Sequence, residues 1–147
     1  MVVRYEITIA APIQRVYRHL TESAGLTRWM AVTAVADARP GGELRWTHEN
    51  GATMCGRFVE LDPPHRVTFT YGWEDGRLDV PPESSLVEID LDETEGVTTV
   101  RVAHHRLPDE TADAHRDGWN YFLEILNELL ATDRRTRNQP DGSTAPD

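Results

Sequence analysis

Apolar and polar positions alternate from Val2 to Ala10, with Val3, Tyr5, Ile7 and Ile9 on one face and Arg4, Glu6 and Thr8 on the other. A period of two marks a strand buried on one side. Pro12 then stands where the first turn of a helix tolerates proline, and Val16, Tyr17 and Leu20 give that helix a short apolar face. Leu26, Trp29 and Met30 predict a second short helix. From Val32 to His105 the chain alternates strand-length runs rich in β-branched and aromatic residues with the turn signals RPGGE, ENGA, LDPPHR, EDGR and ETEGV. The clearest run sets Val67, Phe69, Tyr71 and Trp73 on one face against Arg66, Thr68 and Thr70 on the other. Between Met54 and Leu61 the phase breaks, since Met54 and Phe58 share one parity and Val59 and Leu61 the other; a bulge near Gly56 would reconcile them.

The last element runs from near Pro108 to about Ala131 with helical periodicity. At ~100° per residue, Phe122, Leu123, Leu126 and Leu130 fall within about 60° of Trp119, and His115 falls there too. Two residues are out of character for a core-filling helix. Interior glycine costs roughly 1 kcal/mol against alanine, and a buried histidine needs a partner, yet Gly118 borders the apolar stripe and His115 opens it. The chain therefore reads as one domain over residues 1–132, with a polar, disordered tail over 133–147. Its predicted class is α+β: a curved antiparallel sheet facing one long C-terminal helix, with two short helices after the first strand.

Composition narrows the function classes. The formal charge of −10 argues against nucleic acid and against anionic membrane surfaces. No lysine is present, which removes Schiff-base chemistry. A single cysteine, Cys55, precludes an internal disulfide or a multi-cysteine zinc site. The N-terminal residues lack the pattern of a signal peptide and no run approaches the ~20 apolar residues of a membrane span, so a cytoplasmic location is expected.

Strand parity brings further histidines inward. His104 shares a face with Val100 and Val102, and His48 shares one with Leu44 and Trp46. With His115 these make three, but they show no HxH or HxxxH pairing, and no metal or other cofactor is expected. Serines occur only at positions 23, 84, 85 and 143, none in a GxSxG elbow, so no catalytic nucleophile is assigned. The remaining signal is aromatic weight directed to one sheet–helix interface. Trp46, His48, Phe58, Phe69, Tyr71, Trp73, His104, His115, Trp119 and Phe122 are the expected lining of a cavity, because large rings do not fill the space between a curved sheet and one helix evenly.

The stretches IAAPIQRVYRHLT, LTRWM, GRFVELDPPHRVTFTYGW, TVRVAHHRLP and HRDGWNYFLEILNELL carry a resemblance. The chain resembles the START-like, Bet v 1-like (SRPBCC) helix-grip superfamily, and within it the family of homologues of the activator of Hsp90 ATPase. The resemblance implies a seven-stranded sheet gripping the C-terminal helix around a hydrophobic cavity. It marks Pro12, Val16, Trp29, Gly56, Pro63, His104, His115, Gly118 and Trp119 as family-pattern positions. Related families hold lipids, sterols, polyketides or aromatic compounds, and a minority are cyclases or hydrolases. The favoured expectation is binding of a small apolar or aromatic molecule without covalent catalysis. Two alternatives stand beside it: a cyclase- or hydrolase-like enzyme with His104 or His115 as general base, and a module that stimulates a chaperone ATPase. A homodimer is compatible with each.

Overall fold

A computed structural model describes residues 1–137. Strand β1 (Val3–Ile9) is followed by helices α1 (Ile13–Thr21) and α2 (Ser23–Leu26), then by β2 (Thr33–Ala36), β3 (Glu43–Thr47), β4 (Thr53–Asp62), β5 (Arg66–Tyr71), β6 (Ser85–Thr94) and β7 (Val97–His105). Helix α3 (Ala112–Arg137) closes the described chain. The strands form one seven-stranded antiparallel sheet in the order β1-β7-β6-β5-β4-β3-β2. Every neighbouring pair except β1–β7 is consecutive in sequence, so the sheet is a meander whose first strand returns to its last. The predicted fold class is the observed one.

The period-two pattern maps onto burial as expected. Val67, Phe69, Tyr71 and Trp73 all face inward, and Arg66 on the opposite face pairs with Glu60, Glu88 and Asp90. On α3 the stripe of Leu123, Leu126 and Leu130 is at most 1% exposed. Each such leucine contributes about 1.5–3 kcal/mol by leaving water, which is what holds the helix in the grip of the sheet. Helix α1 starts at Pro12 as N-cap, and the Ile13 N–H donates to a carboxylate oxygen of Glu93 on β6 at 2.9 Å, a cap supplied from across the fold.

Two local readings need correction. The irregularity in β4 lies between Phe58 and Glu60, where Phe58 pairs with Phe69 and Glu60 with Thr68; the extra residue is Val59, which is turned out to solvent. Gly56, where the bulge was expected, has a different role. An added Cβ there would lie 1.8 Å from the Thr70 carbonyl oxygen, so its missing side chain lets β4 press against β5 where the sheet curves. The second correction concerns α3, which continues through Arg137, past the expected end near Ala131. Asp133 explains part of the extension: it accepts from Arg15 of α1 at 2.7 Å and pairs with Arg28 at 3.0 Å, tying the end of α3 to the two short helices. The tail beyond, residues 138–147, lies outside the described residues.

Candidate functional site

Three tryptophans in the interior share one arrangement. The Trp46 indole N–H donates to His48 Nε2 at 3.0 Å, that of Trp119 to His104 Nδ1 at 3.0 Å, and that of Trp73 to His115 Nε2 at 3.4 Å. An indole can only donate, so each accepting nitrogen is unprotonated and each imidazole is neutral with its proton on the other nitrogen. Burial acts in the same direction. It pushes the pKa of His48 and His115 below the ordinary histidine value, and takes His104 down to about 3, with the charges of His115 and His105 adding to the effect.

The three histidines nevertheless differ in what they offer. His104 is 0% exposed and fully engaged: its Nε2 is 2.9 Å from Ser85 Oγ, and Ser85 in turn donates to the Tyr71 carbonyl at 2.8 Å. His115 donates from Nδ1 to the Thr111 carbonyl at 2.9 Å, one turn back in the chain, which fixes its orientation. Its Nε2 then has only the Trp73 N–H at 3.4 Å, beyond the usual range of a good hydrogen bond. His48 stands at the rim. The Met30 backbone partly opposes the lowering of its pKa but is not in bonding geometry, and His48 Nδ1 is buried without a hydrogen bond.

Between these rings lies a space of ≈ 90 Å³, bordered by Met30, Trp46, His48, Tyr71, Trp73, Leu78, Ala114, His115, Gly118, Trp119 and Phe122. Met30, His48, Trp73, Leu78 and Phe122 also border a more open space of ≈ 640 Å³ that reaches Glu49, Arg77, Tyr121 and Ile125 at the surface. The arrangement is an inner chamber with an outer vestibule. Leu78 stands at the junction with its backbone in the left-handed region at φ 58°, and Asp79 after it at φ 57°; such conformations cost non-glycine residues roughly 1–2 kcal/mol each. Leu78 is 40% exposed and borders both spaces.

Of the ten ring-bearing residues expected to line a cavity, Trp46, His48, Tyr71, Trp73, His115, Trp119 and Phe122 border the chamber. Phe58, Phe69 and His104 do not. Phe58 and Phe69 pack edge to face at 6.5 Å deeper in the core, and His104 sits behind Tyr71 with ring centroids 4.4 Å apart. Leu78, Met30 and Ala114 are wall residues that the ring-based reading missed. It also missed a second polar cluster, in which buried His19 takes a hydrogen bond at Nε2 from Arg28 (2.9 Å) and contacts the Arg15 carbonyl through Nδ1 (2.8 Å). That cluster belongs to the latch between α1, α2 and α3.

Gly118 borders the chamber. No heavy atom lies within 4 Å of where its Cβ would stand, and its backbone is helical. Gly118→Ala is therefore expected to raise stability by about 1 kcal/mol, through helix propensity alone. Urea unfolding checks this, and a destabilised variant would mean that the space beside Gly118 is filled in solution.

Comparison with known proteins places this geometry. The family model described as "Activator of Hsp90 ATPase homolog 1-like protein" matches residues 10–131. No curated protein matches the sequence. Among solved structures, DynU16, from the dynemicin biosynthetic locus, superposes with a TM-score of 0.77 at 22% identity over 90% of this chain, which spans only 48% of DynU16. An HSP90 activator from Plasmodium falciparum gives 0.73 at 20% identity, covering 89% of this chain and 96% of that one. The Aha1 dimer from Colwellia psychrerythraea gives 0.71 at 24%, covering 88% and 96%. At these identities the likeness is one of fold. No helix among the described residues is long and apolar enough to cross a membrane.

Proposed function

Since the chain belongs to the activator of Hsp90 ATPase homologue 1-like family, we propose that it holds a small neutral apolar or aromatic molecule in the chamber between sheet and α3, without covalent chemistry. The observation that carries this reading is the chamber wall, which is aromatic, contains no charged side chain and opens through a vestibule. A ligand that enters exchanges water for ring faces, at roughly 25 cal/mol per Å² of apolar surface removed from water. The catalytic alternative is less well supported. His104 is enclosed, fully hydrogen-bonded and neutral, so it has no free lone pair for a proton. His115 faces the chamber, but among the described residues no carboxylate borders that chamber to act with it as acid or orienting group.

The test is a thermal-shift and native mass-spectrometry screen of the full chain against single-ring and fused-ring aromatics, fatty acids and sterols. The proposal expects saturable stabilisation by small neutral aromatics and none by sterols, which exceed the chamber. No stabilisation by any of the small aromatics at millimolar concentration would sink it. A second reading, stimulation of a chaperone ATPase, is supported by the family description and by the Plasmodium falciparum neighbour. An Hsp90-type ATPase assay separates the two: the ligand-binding reading expects an unchanged rate at saturating protein.

A further inference from the structure

The Tyr71 side chain adds chemistry to an otherwise apolar chamber. Tyr71 is 6% exposed and forms part of the wall, and burial raises its pKa well above the ordinary phenol value, so it stays protonated. The other core tyrosine, Tyr17, donates to the Arg66 carbonyl at 3.0 Å, but the Tyr71 hydroxyl makes no hydrogen bond to any described residue. Among the described residues, the side-chain polar atoms sealed away without a partner are Arg15 Nε and His48 Nδ1. The Tyr71 hydroxyl is not among them, so it keeps contact with open space, and the space Tyr71 borders is the chamber. Its neighbour in the wall is His115, with ring centroids 5.8 Å apart. His115 Nδ1–H is committed to Thr111, which leaves Nε2 as an acceptor held only by the long contact from Trp73.

We infer that the chamber recognises its ligand through a hydroxyl group, and that the ligand class is a neutral phenol or similar flat alcohol, its O–H donating to His115 Nε2 and its oxygen accepting from the Tyr71 hydroxyl. The inference rests on the ligand-binding reading above and deepens it. A hydroxyl supplies one donor and two acceptor lone pairs, which is the complement of one free donor and one loosely held acceptor, whose single lone pair a ligand O–H would take over from the long Trp73 contact. A ketone or ether satisfies Tyr71 and leaves His115 unmet. A carboxylate or an ammonium would have to shed its water against a wall with no opposite charge, at a cost of several kcal/mol. Size sets the orientation. The chamber, at ≈ 90 Å³, is smaller than the ~150 Å³ void that accommodates benzene. A ring can enter only with its hydroxyl leading and its far end past Phe122 and Leu78, so substituents para to the hydroxyl point into the vestibule.

Isothermal titration of the full chain with 4-ethylphenol and with 4-ethyltoluene tests this, because the two differ only in hydroxyl against methyl. The phenol is expected to bind about tenfold tighter, the ratio that one well-made hydrogen bond gives. Tyr71→Phe, which removes an oxygen that bonds to no described residue, should cut that ratio to about threefold or less while leaving 4-ethyltoluene affinity within about twofold. Equal binding of the two ligands to the unaltered protein overturns hydroxyl recognition and leaves the apolar chamber standing. Binding of neither overturns the ligand-binding reading and this inference with it.

Discussion

Replacing His104 by alanine is expected to lower the free energy of unfolding by about 3–5 kcal/mol, out of the ~5–15 kcal/mol that a domain of this size possesses. The imidazole has no exposed surface, so its loss leaves a void that surrounding residues fill only in part. It also strands one buried group and removes a bond from another. The Trp119 indole N–H loses its acceptor, and the Ser85 hydroxyl, which bonds on to the Tyr71 carbonyl, loses its partner on the other side. Each buried polar group left unmet costs about 1–3 kcal/mol. His104→Phe separates the contributions, since it keeps a ring in the space, though a slightly larger one, and removes the same hydrogen bonds, and should cost about 1–3 kcal/mol. Urea unfolding followed by tryptophan fluorescence measures both. A His104→Ala variant within about 1 kcal/mol of the parent would show that the Trp119–His104–Ser85 chain adds little to stability.

Acidification is the second large effect. Four histidines, His19, His48, His104 and His115, have pKa values lowered in the folded protein, mainly by burial. Below the ordinary histidine pKa near 6.5 the unfolded chain takes up protons that the folded chain refuses, so stability is full above pH 6.5 and falls as pH drops. His104 alone contributes a slope of about 1.4 kcal/mol per pH unit from near 6.5 down to its folded value of about 3, and the other three steepen it. The carboxylates held low by ion pairs, Asp75, Glu88 and Asp133, act in the same sense only below the ordinary carboxylate range near 4. The interval from pH 6.5 to 5 therefore isolates the histidines. Unfolding free energies across it should fall steeply in the parent and less steeply in His104→Phe. A flat profile would mean that the histidines are solvated or charged in the folded state.

How much of this is visible in the chain depends on whether the relevant physics is local. Strands β5 and β7 and helix α3 are legible because their apolar residues repeat at the period of the backbone, and one buried face is enough to produce that repeat. The β4 irregularity is half legible. The clash of parity between Phe58 and Val59 requires one extra residue, but a glycine draws the eye to position 56, whereas Gly56 answers to the Thr70 backbone on the next strand. The end of α3 is illegible locally, because the residues after Ala131 are polar and Asp133 is held by Arg15 and Arg28 from the other end of the chain.

The site divides in the same way. Parity states which face a side chain takes, not how deep along the sheet it lies, so Phe69 and Trp73 look equivalent in sequence although only Trp73 reaches the chamber. His104 and His115 likewise both point inward, and only the hydrogen-bond partners separate a closed structural imidazole from one whose acceptor nitrogen is loosely held. Gly118 is the best sequence signal of the chamber, because a glycine in mid-helix needs a reason and here the reason is space. The pairing of His48, His104 and His115 each with a tryptophan N–H carries no signal in residue spacing. Trp46 and His48 are two residues apart, while Trp73 and His115 meet from opposite sides of the core.

The central claim, that the ring-lined interior is a site open to a ligand rather than a packed core, is tested most directly by the indole N–H resonances of the four tryptophans during a titration with 4-ethylphenol. Trp73, whose N–H makes the long bond to His115 in the chamber wall, should shift saturably, with Trp46 and Trp119 following. Trp29, whose N–H is bonded to the His19 carbonyl at 2.8 Å and which borders the vestibule and not the chamber, should shift least. Four unmoved indole signals at millimolar phenol, from protein that is folded throughout, would contradict the claim.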